Sequence, residues 1–271
     1  MAWIIAAVAT AFLFLVPAYA DEAIEHVNNQ QSLLIGIAPL HASEFARAAQ
    51  GASLTNAASG ARYLFGYDTA RTRTLLGIPD LYTDLEVSLA GGTLRYKGSS
   101  IATNGASTAA LTESTTYVQD AIRMRIGRSL QFLGMRSVVL TPFLGISQLA
   151  WSRDLSASGI GNFYDHQGIE AGLMIQASLP YRLVLGVDAS AGRTLGAMLA
   201  NGGSGNLVYA GTSSFALKLD HRTYGSWHQR LEIRQTFLRY GQFPDVVGFF
   251  EPRRTSDLAI MLEFGTEGSI F

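Results

Sequence analysis

The chain has 271 residues, and its 20 Lys and Arg stand against 21 Asp and Glu for a formal net charge of −1. That balance gives no electrostatic case for nucleic acid or an acidic partner. The absence of Cys excludes a disulfide framework, a thiolate metal site and the acylated N-terminal cysteine of a lipoprotein.

Met1 to Ala20 reads as a secretory signal. Trp3 to Val16 is nearly all apolar and too short to span a membrane as a helix, and Ala18-Tyr19-Ala20 is a small-x-small cleavage site. The segment departs from the usual pattern in having no Lys or Arg before its apolar run. Residues 21–60 are expected to form an N-terminal arm. Its start, Asp21 to Gln31, reads as a loose polar stretch. Ser32–Leu40 is a possible first strand, and Ser43–Ala49 a possible helix. Residues 61–271 are expected to form the main domain.

From Ala61 the apolar residues recur with a period of two, which predicts strands with one apolar face. Tyr63, Phe65 and Tyr67 share a face, and Arg73–Asp80 is a turn. Leu81, Thr83, Leu85, Val87 and Leu89 oppose Tyr82, Asp84, Glu86 and Ser88; this strand continues toward Tyr96. Val118, Ile122, Met124 and Ile126 oppose Tyr117, Gln119, Arg123 and Arg125. Ser137–Arg153 is mostly apolar, so its faces are not assigned. Ile169, Leu173 and Ile175 oppose Glu170 and Gln176. Tyr181, Leu183, Leu185 and Val187 oppose Arg182, Gly186 and Asp188. Leu207, Tyr209, Phe215, Leu217 and Leu219 oppose Thr212, Ser214, Lys218 and Asp220. Trp227, Leu231, Ile233 and Phe237 oppose His228, Arg230, Glu232 and Arg234. In the last strand Leu258, Ile260, Leu262 and Phe264 oppose Ala259, Met261 and Glu263.

Long connections (Ser99–Ser114, Asp154–Asn162, Leu195–Asn206, Gln242–Arg253) alternate with shorter ones (Arg73–Asp80, Arg128–Arg136, Leu179–Pro180, Arg222–Ser226). Long outer loops and tight periplasmic turns alternate in this way in a transmembrane antiparallel up-and-down β-barrel. Even parity with both termini periplasmic allows ten strands, the preferred count. The alternative is eight strands with an N-terminal arm. Tyr96, Trp151, Tyr181, Trp227 and Tyr240 sit near strand ends, as interfacial girdles would.

Asp257, Ala259, Leu262 and Phe264 resemble the C-terminal signal by which Gram-negative outer-membrane barrels are recognised for insertion. Ala259 stands where glycine is usual, and seven residues follow Phe264. Four further stretches, taken in order and spacing, resemble a group of proteobacterial outer-membrane β-barrel proteins of mostly unassigned function. They are Pro79-Asp80-Leu81-Tyr82-Thr83 with Leu94-Arg95-Tyr96-Lys97-Gly98; Leu140-Thr141-Pro142-Phe143-Leu144-Gly145 before Trp151-Ser152-Arg153; Arg239-Tyr240-Gly241; and Glu251-Pro252 with Thr255. The resemblance implies a barrel domain in the outer membrane of a Gram-negative bacterium. It carries no catalytic residues and no cofactor. The expected partners are outer-membrane lipids and, during insertion, the barrel-assembly machinery.

Few residues point to chemistry. His166, beside Tyr164 and Asp165, could act as a general base with Ser156 or Ser158 in a lipid-modifying enzyme. A polar surface histidine at a strand mouth is the stronger expectation. His221 and His228 flank a turn without the carboxylate or thiolate company of a metal site. Gly202-Gly203-Ser204-Gly205 lacks the Lys and helix of a phosphate loop and reads as a loop tip. The apolar run Val246–Phe250 either meets a partner or folds over the barrel mouth.

The expected inward face is rich in charge. Asp84, Glu86, Arg123, Arg125, Glu170, Arg182, Asp188, Lys218, Asp220, Arg230, Glu232, Arg234 and Glu263 carry both signs. In a barrel of ~8–10 strands the interior is just wide enough for side chains to fill. The expected function is therefore a small, non-enzymatic barrel with a structural or surface-interaction role and a lumen filled by ion pairs. A narrow pore for small solutes is the first alternative, and a lipid-modifying enzyme the second.

Overall fold

The period-two pattern closes into a ring. The computed structural model describes residues 22–47, 53–75, 77–101, 108–132, 135–155, 160–200, 204–206, 210–240 and 251–267. A short helix, α1 (Glu22–Val27), precedes ten long strands. These are β1 (Gln30–Arg47), β2 (Ser53–Leu75), β3 (Ile78–Ile101), β4 (Thr108–Arg128), β6 (Met135–Leu155), β7 (Ile160–Leu179), β8 (Leu183–Ala200), β10 (Ala210–Arg222), β11 (Trp227–Tyr240) and β12 (Glu251–Glu267). Two short segments join the sheet, β5 (Leu130–Phe132) on β6 and β9 (Ser204–Asn206) on β8.

Each long strand pairs antiparallel with its neighbours in sequence. The ring closes where β12 meets β1, with Phe264 opposite Leu33 and Ile260 opposite Ile37. Closure leaves no unpaired sheet edge in the ring, which a lipid environment demands because it offers backbone groups no water.

Burial decides which face points out. On β1, Leu33 is 65% exposed and Leu34 2%. Tyr63 and Phe65 of β2, Met124 and Ile126 of β4, Phe215 and Leu217 of β10, and Leu262 of β12 are likewise exposed. An apolar exterior carried by strands around the whole circumference is the reverse of a soluble barrel and belongs in lipid. The structure is thus a transmembrane β-barrel. Among the described residues no helix is long and apolar enough to cross a membrane.

Several expectations need correction. Ser43–Arg47 is strand, not helix: Ser43 pairs with Ala57 and Arg47 with Ser53. The helix propensity of this short Ala- and Glu-containing stretch is weak alone, and ladder pairing overrides it. β1 is the first of the ten barrel strands, as the preferred count expects, but the expected domain boundary at residue 61 falls inside β2. The arm's first residues are ordered as α1, which lies in the barrel mouth. The connections drawn as long loops are shorter, because β3 and β4 stay paired out to Ile101 opposite Thr108. The small Ser, Thr and Ala residues there have no apolar alternation to betray a strand, yet a ladder beyond the membrane needs none. Ser204 and Gly205 pair with β8 rather than forming a loop tip.

Pro180–Arg182 is a tight turn, with φ of 65° at Tyr181 and 59° at Arg182. These left-handed residues break the alternation that placed Tyr181 and Arg182 in a strand. Arg182 is consequently exposed on the turn and does not face the lumen. The segments Met1–Ala20 and Val246–Phe250, with Asn104, Ser156, Ser158, Leu207 and Tyr209, lie outside the described residues.

Candidate functional site: the lumen

The lumen is layered, and each layer is set by the inward residues of the strands. Across the mouth where β1 begins and β12 ends lies α1. Its Ile24 and Val27 pack on Val139 and Val184. Asn28 and Gln176 exchange hydrogen bonds, Nδ2 to Oε1 at 2.9 Å and Nε2 to Oδ1 at 2.8 Å. Asn29 Oδ1 accepts the Thr72 amide at 3.0 Å. His26 Nδ1 lies 2.7 Å from Glu267 Oε2, and Glu22 Oε1 lies 3.1 Å from His26 Nε2 and 3.4 Å from Arg222 Nη1. The His26 hydrogen bond, and then Arg222, hold the Glu22 carboxyl below its usual range.

Next comes an apolar layer of Ala70, Tyr82, Phe143 and Met174. Phe143 has the Arg125 guanidinium 4.2 Å from its ring centroid.

The middle of the lumen is a belt of ion pairs. Arg230 reaches three carboxylates, Glu263 at 2.9 Å, Asp68 at 3.2 Å and Asp220 at 3.3 Å. Asp220 also meets His228 Nδ1 at 2.9 Å. Arg125 holds Glu170 at 2.9 Å and also bonds Asp188. Lys218 Nζ lies 3.5 Å from Glu232 and 4.0 Å from Asp188. Arg234 Nε donates to Glu232 at 2.7 Å, while its two terminal nitrogens take both oxygens of Glu86. Arg123 also pairs with Glu86. Tyr82 Oη donates to Asp84 Oδ2 at 3.0 Å, and Ser190 Oγ to Glu170 Oε2 at 2.9 Å.

Toward the far mouth the layer turns aromatic. Trp151 is stacked between Tyr117 at 5.1 Å and Tyr164 at 3.9 Å, and His166 lies beyond Tyr164 at 6.4 Å. Arg62, fully buried, places its guanidinium 5.2 Å from the Tyr117 ring and 2.5 Å from Asp257 Oδ1. Arg153 sits 5.1 Å from the Tyr96 ring.

The lumen therefore brings together Asp84, Glu86, Arg123, Arg125, Glu170, Asp188, Lys218, Asp220, Arg230, Glu232, Arg234 and Glu263, and leaves out Arg182. Sequence reasoning missed Asp68 and Arg62, although both lie on β2 opposite Tyr63, Phe65 and Tyr67, and that alternation could have found them. It also misplaced Tyr96 and Trp151, which are buried in the lumen rather than in a girdle. His166 is buried in the β7 wall, not exposed at a strand mouth. Of the C-terminal residues, Asp257 and Ala259 face the lumen and Leu262 and Phe264 face outward.

Between the ion-pair belt and the aromatic layer lies a cavity of about 150 Å³, to which strands around the whole ring contribute. A second cavity of about 20 Å³, beside Asp68, Asp84 and Asn28, has room for little more than one water. Among the described residues no group of His, Asp and Glu is arranged to hold a metal.

No family model matches the chain, and no curated protein matches its sequence. Solved structures do. The outer membrane protease OmpT from Escherichia coli is similar at 10% identity, covering 89% of this chain and 97% of that one, with a TM-score of 0.58. An outer membrane channel from Pseudomonas putida F1 matches at 9% identity over 88% of this chain and 95% of that one, with a TM-score of 0.41. The translocator domain of autotransporter NalP from Neisseria meningitidis matches at 10% identity over 98% and 94%, with a TM-score of 0.38. At 10% identity the likeness to the protease concerns the fold alone. The chain has the closed ten-stranded β-barrel fold found among proteobacterial outer-membrane proteins.

Proposed function

We propose that this protein resides in the outer membrane of a Gram-negative bacterium as a sealed barrel with a structural or surface-interaction role. The observation that carries the reading is the ion-pair belt across the lumen. Its arginines are tied to carboxylates on other strands, and α1 lies across the mouth beneath them. Side chains so tied leave little room for a column of water. β1 begins and β12 ends at the end that carries the tight turns, which supports a periplasmic position for that end. The longer strands, such as β2 with 23 residues and β3 with 24, exceed the ~9–11 that cross a bilayer. Their excess would stand outside the cell, where a surface partner could reach it.

Lipids surround the apolar exterior, and the assembly machinery reads Asp257, Ala259, Leu262 and Phe264 during insertion. No catalytic role is assigned to His166, whose proposed serine partners lie outside the described residues.

The reading is tested on cells and gels. Unboiled protein should migrate differently from boiled protein, and an epitope inserted at Asn104 should be reached on intact cells. Recovery in the soluble periplasmic fraction with identical migration would refute the barrel in the membrane. An epitope reached only after permeabilisation would invert the topology.

A further inference from the structure

The cavity between the ion-pair belt and the aromatic layer has a chemistry of its own. Its wall is two-sided. On the adjacent strands β12, β1 and β2 its apolar groups are Ala259, Leu40 and Leu64, with Thr255 and Asp257 beside Ala259 on β12. Elsewhere it is set with neutral polar groups, the hydroxyls of Ser88, Ser147, Ser214, Thr212 and Thr236 and the Gln119 amide. Those hydroxyls are half-buried and line the cavity. Gln119 is oriented by its neighbours. Its Oε1 accepts from Arg62 Nη1 at 2.6 Å and Tyr117 Oη at 3.4 Å, which leaves Nε2 as a donor.

The charges around the cavity are already matched. Glu86 is held by Arg123 and Arg234, Asp257 by Arg62, and Glu170 by Arg125 and Ser190. A charged ligand would have to compete with these pairs, and breaking one is costly. A neutral ligand leaves them intact. Half-buried hydroxyls beside an apolar patch favour an occupant that both donates and accepts. At about 150 Å³ the space is far more than the ~10–15 Å³ that one water needs.

We infer that this cavity binds a small neutral polyol the size of a single sugar ring, with its C–H face on Leu40, Leu64 and Ala259 and its hydroxyls on the Ser, Thr and Gln119 groups. Trp151 does not stack on the ligand, since Tyr117 and Tyr164 cover both faces of its indole. It lines the cavity and so reports on occupancy. The inference does not depend on which mouth faces the cell exterior.

The test uses the full chain in detergent with Trp3→Phe and Trp227→Phe, which leaves Trp151 as the emitting indole. The probes are D-glucose and N-acetyl-D-glucosamine, with acetate and inorganic phosphate as charged comparisons. A saturable change in emission with a neutral sugar, and none with the anions, is expected. Ser147→Leu fills the cavity and should abolish the change. Thr212→Val removes one hydroxyl at nearly constant volume and should weaken binding about tenfold. Both variants are first checked for heat-modifiable migration; if Ser147→Leu does not fold, Thr212→Val alone decides. No saturable response to either sugar, a response only to the anions, or parental affinity in a folded variant would overturn the proposal.

Discussion

Arg234 of β11 grips Glu86 of β3 with two parallel bonds across the lumen, Nη1 to Oε1 at 2.6 Å and Nη2 to Oε2 at 2.7 Å. The two strands are not neighbours; β12, β1 and β2 lie between them in the ring. A bidentate guanidinium–carboxylate pair fixes orientation as well as distance. This pair therefore braces the barrel across its width.

Glu232 is the next member of that brace, accepting from Arg234 at 2.7 Å and lying 3.5 Å from Lys218. Glu232→Ala leaves two buried cations short of a partner, which costs about 3–5 kcal/mol where such pairs are broken. Tyr224→Ala, on a turn where the side chain is 85% exposed, should stay within about 0.5 kcal/mol of the parent. Urea unfolding in lipid vesicles measures both. Equal stability of Glu232→Ala and the parent would contradict the brace.

Gly172 makes room for Phe143. A Cβ at residue 172 would come within 2.3 Å of Phe143 Cζ and 2.5 Å of the Ala189 carbonyl oxygen. Phe143 has little freedom to retreat, being fully buried with Arg125 over its ring. Gly172→Ala should therefore destabilise by about 1–3 kcal/mol, the range for overpacking a filled interior. Gly211→Ala, where a Cβ meets nothing within 4 Å, is the matched control in the same unfolding assay.

These sites show where sequence reasoning succeeds and where it stops. The inward charges of β10 and β11 are legible because Lys218, Asp220, Arg230, Glu232 and Arg234 alternate with Leu217, Leu219, Leu231 and Ile233. Register then follows from short turns. Which charge meets which across the ring is not legible, because Arg234 and Glu86 are 148 residues apart and meet only through closure. Trp151 shows a second limit. An aromatic residue near a strand end suits a lipid interface or a lumen equally well, and the mostly apolar β6 gives no alternation to decide. Tyr181 shows a third, since left-handed φ at a non-glycine residue leaves no mark in the pattern.

The apolar exterior makes a separate prediction. Leu217, near the middle of β10, is exposed between exposed neighbours Phe215 and Leu219. Leu217→Arg should lower stability in vesicles by about 2–4 kcal/mol if it lies at the bilayer midplane. Leu217→Val should be nearly neutral. Full tolerance of the arginine would show that this face does not meet lipid.

The α1 seal should respond to acid through Glu22. A carboxyl held below its unfolded value contributes stability that is whole above about pH 4.3 and is lost as pH falls through the lowered folded value. Limited proteolysis of the first described residues should therefore speed up only in that acidic window. Glu22→Gln lacks the contribution at every pH, so the gap between it and the parent should close as pH falls. The contact of His26 with Glu267 is common to both proteins and cancels in the comparison. A gap that is constant with pH would remove Glu22 from the seal.

Single-channel recording in planar bilayers tests the sealed lumen most directly. With the Arg234–Glu86 brace and α1 in place, the purified full-length protein should insert and show no large, stable conductance. Steady, porin-like current from the native protein would contradict the sealed barrel and establish a transport path.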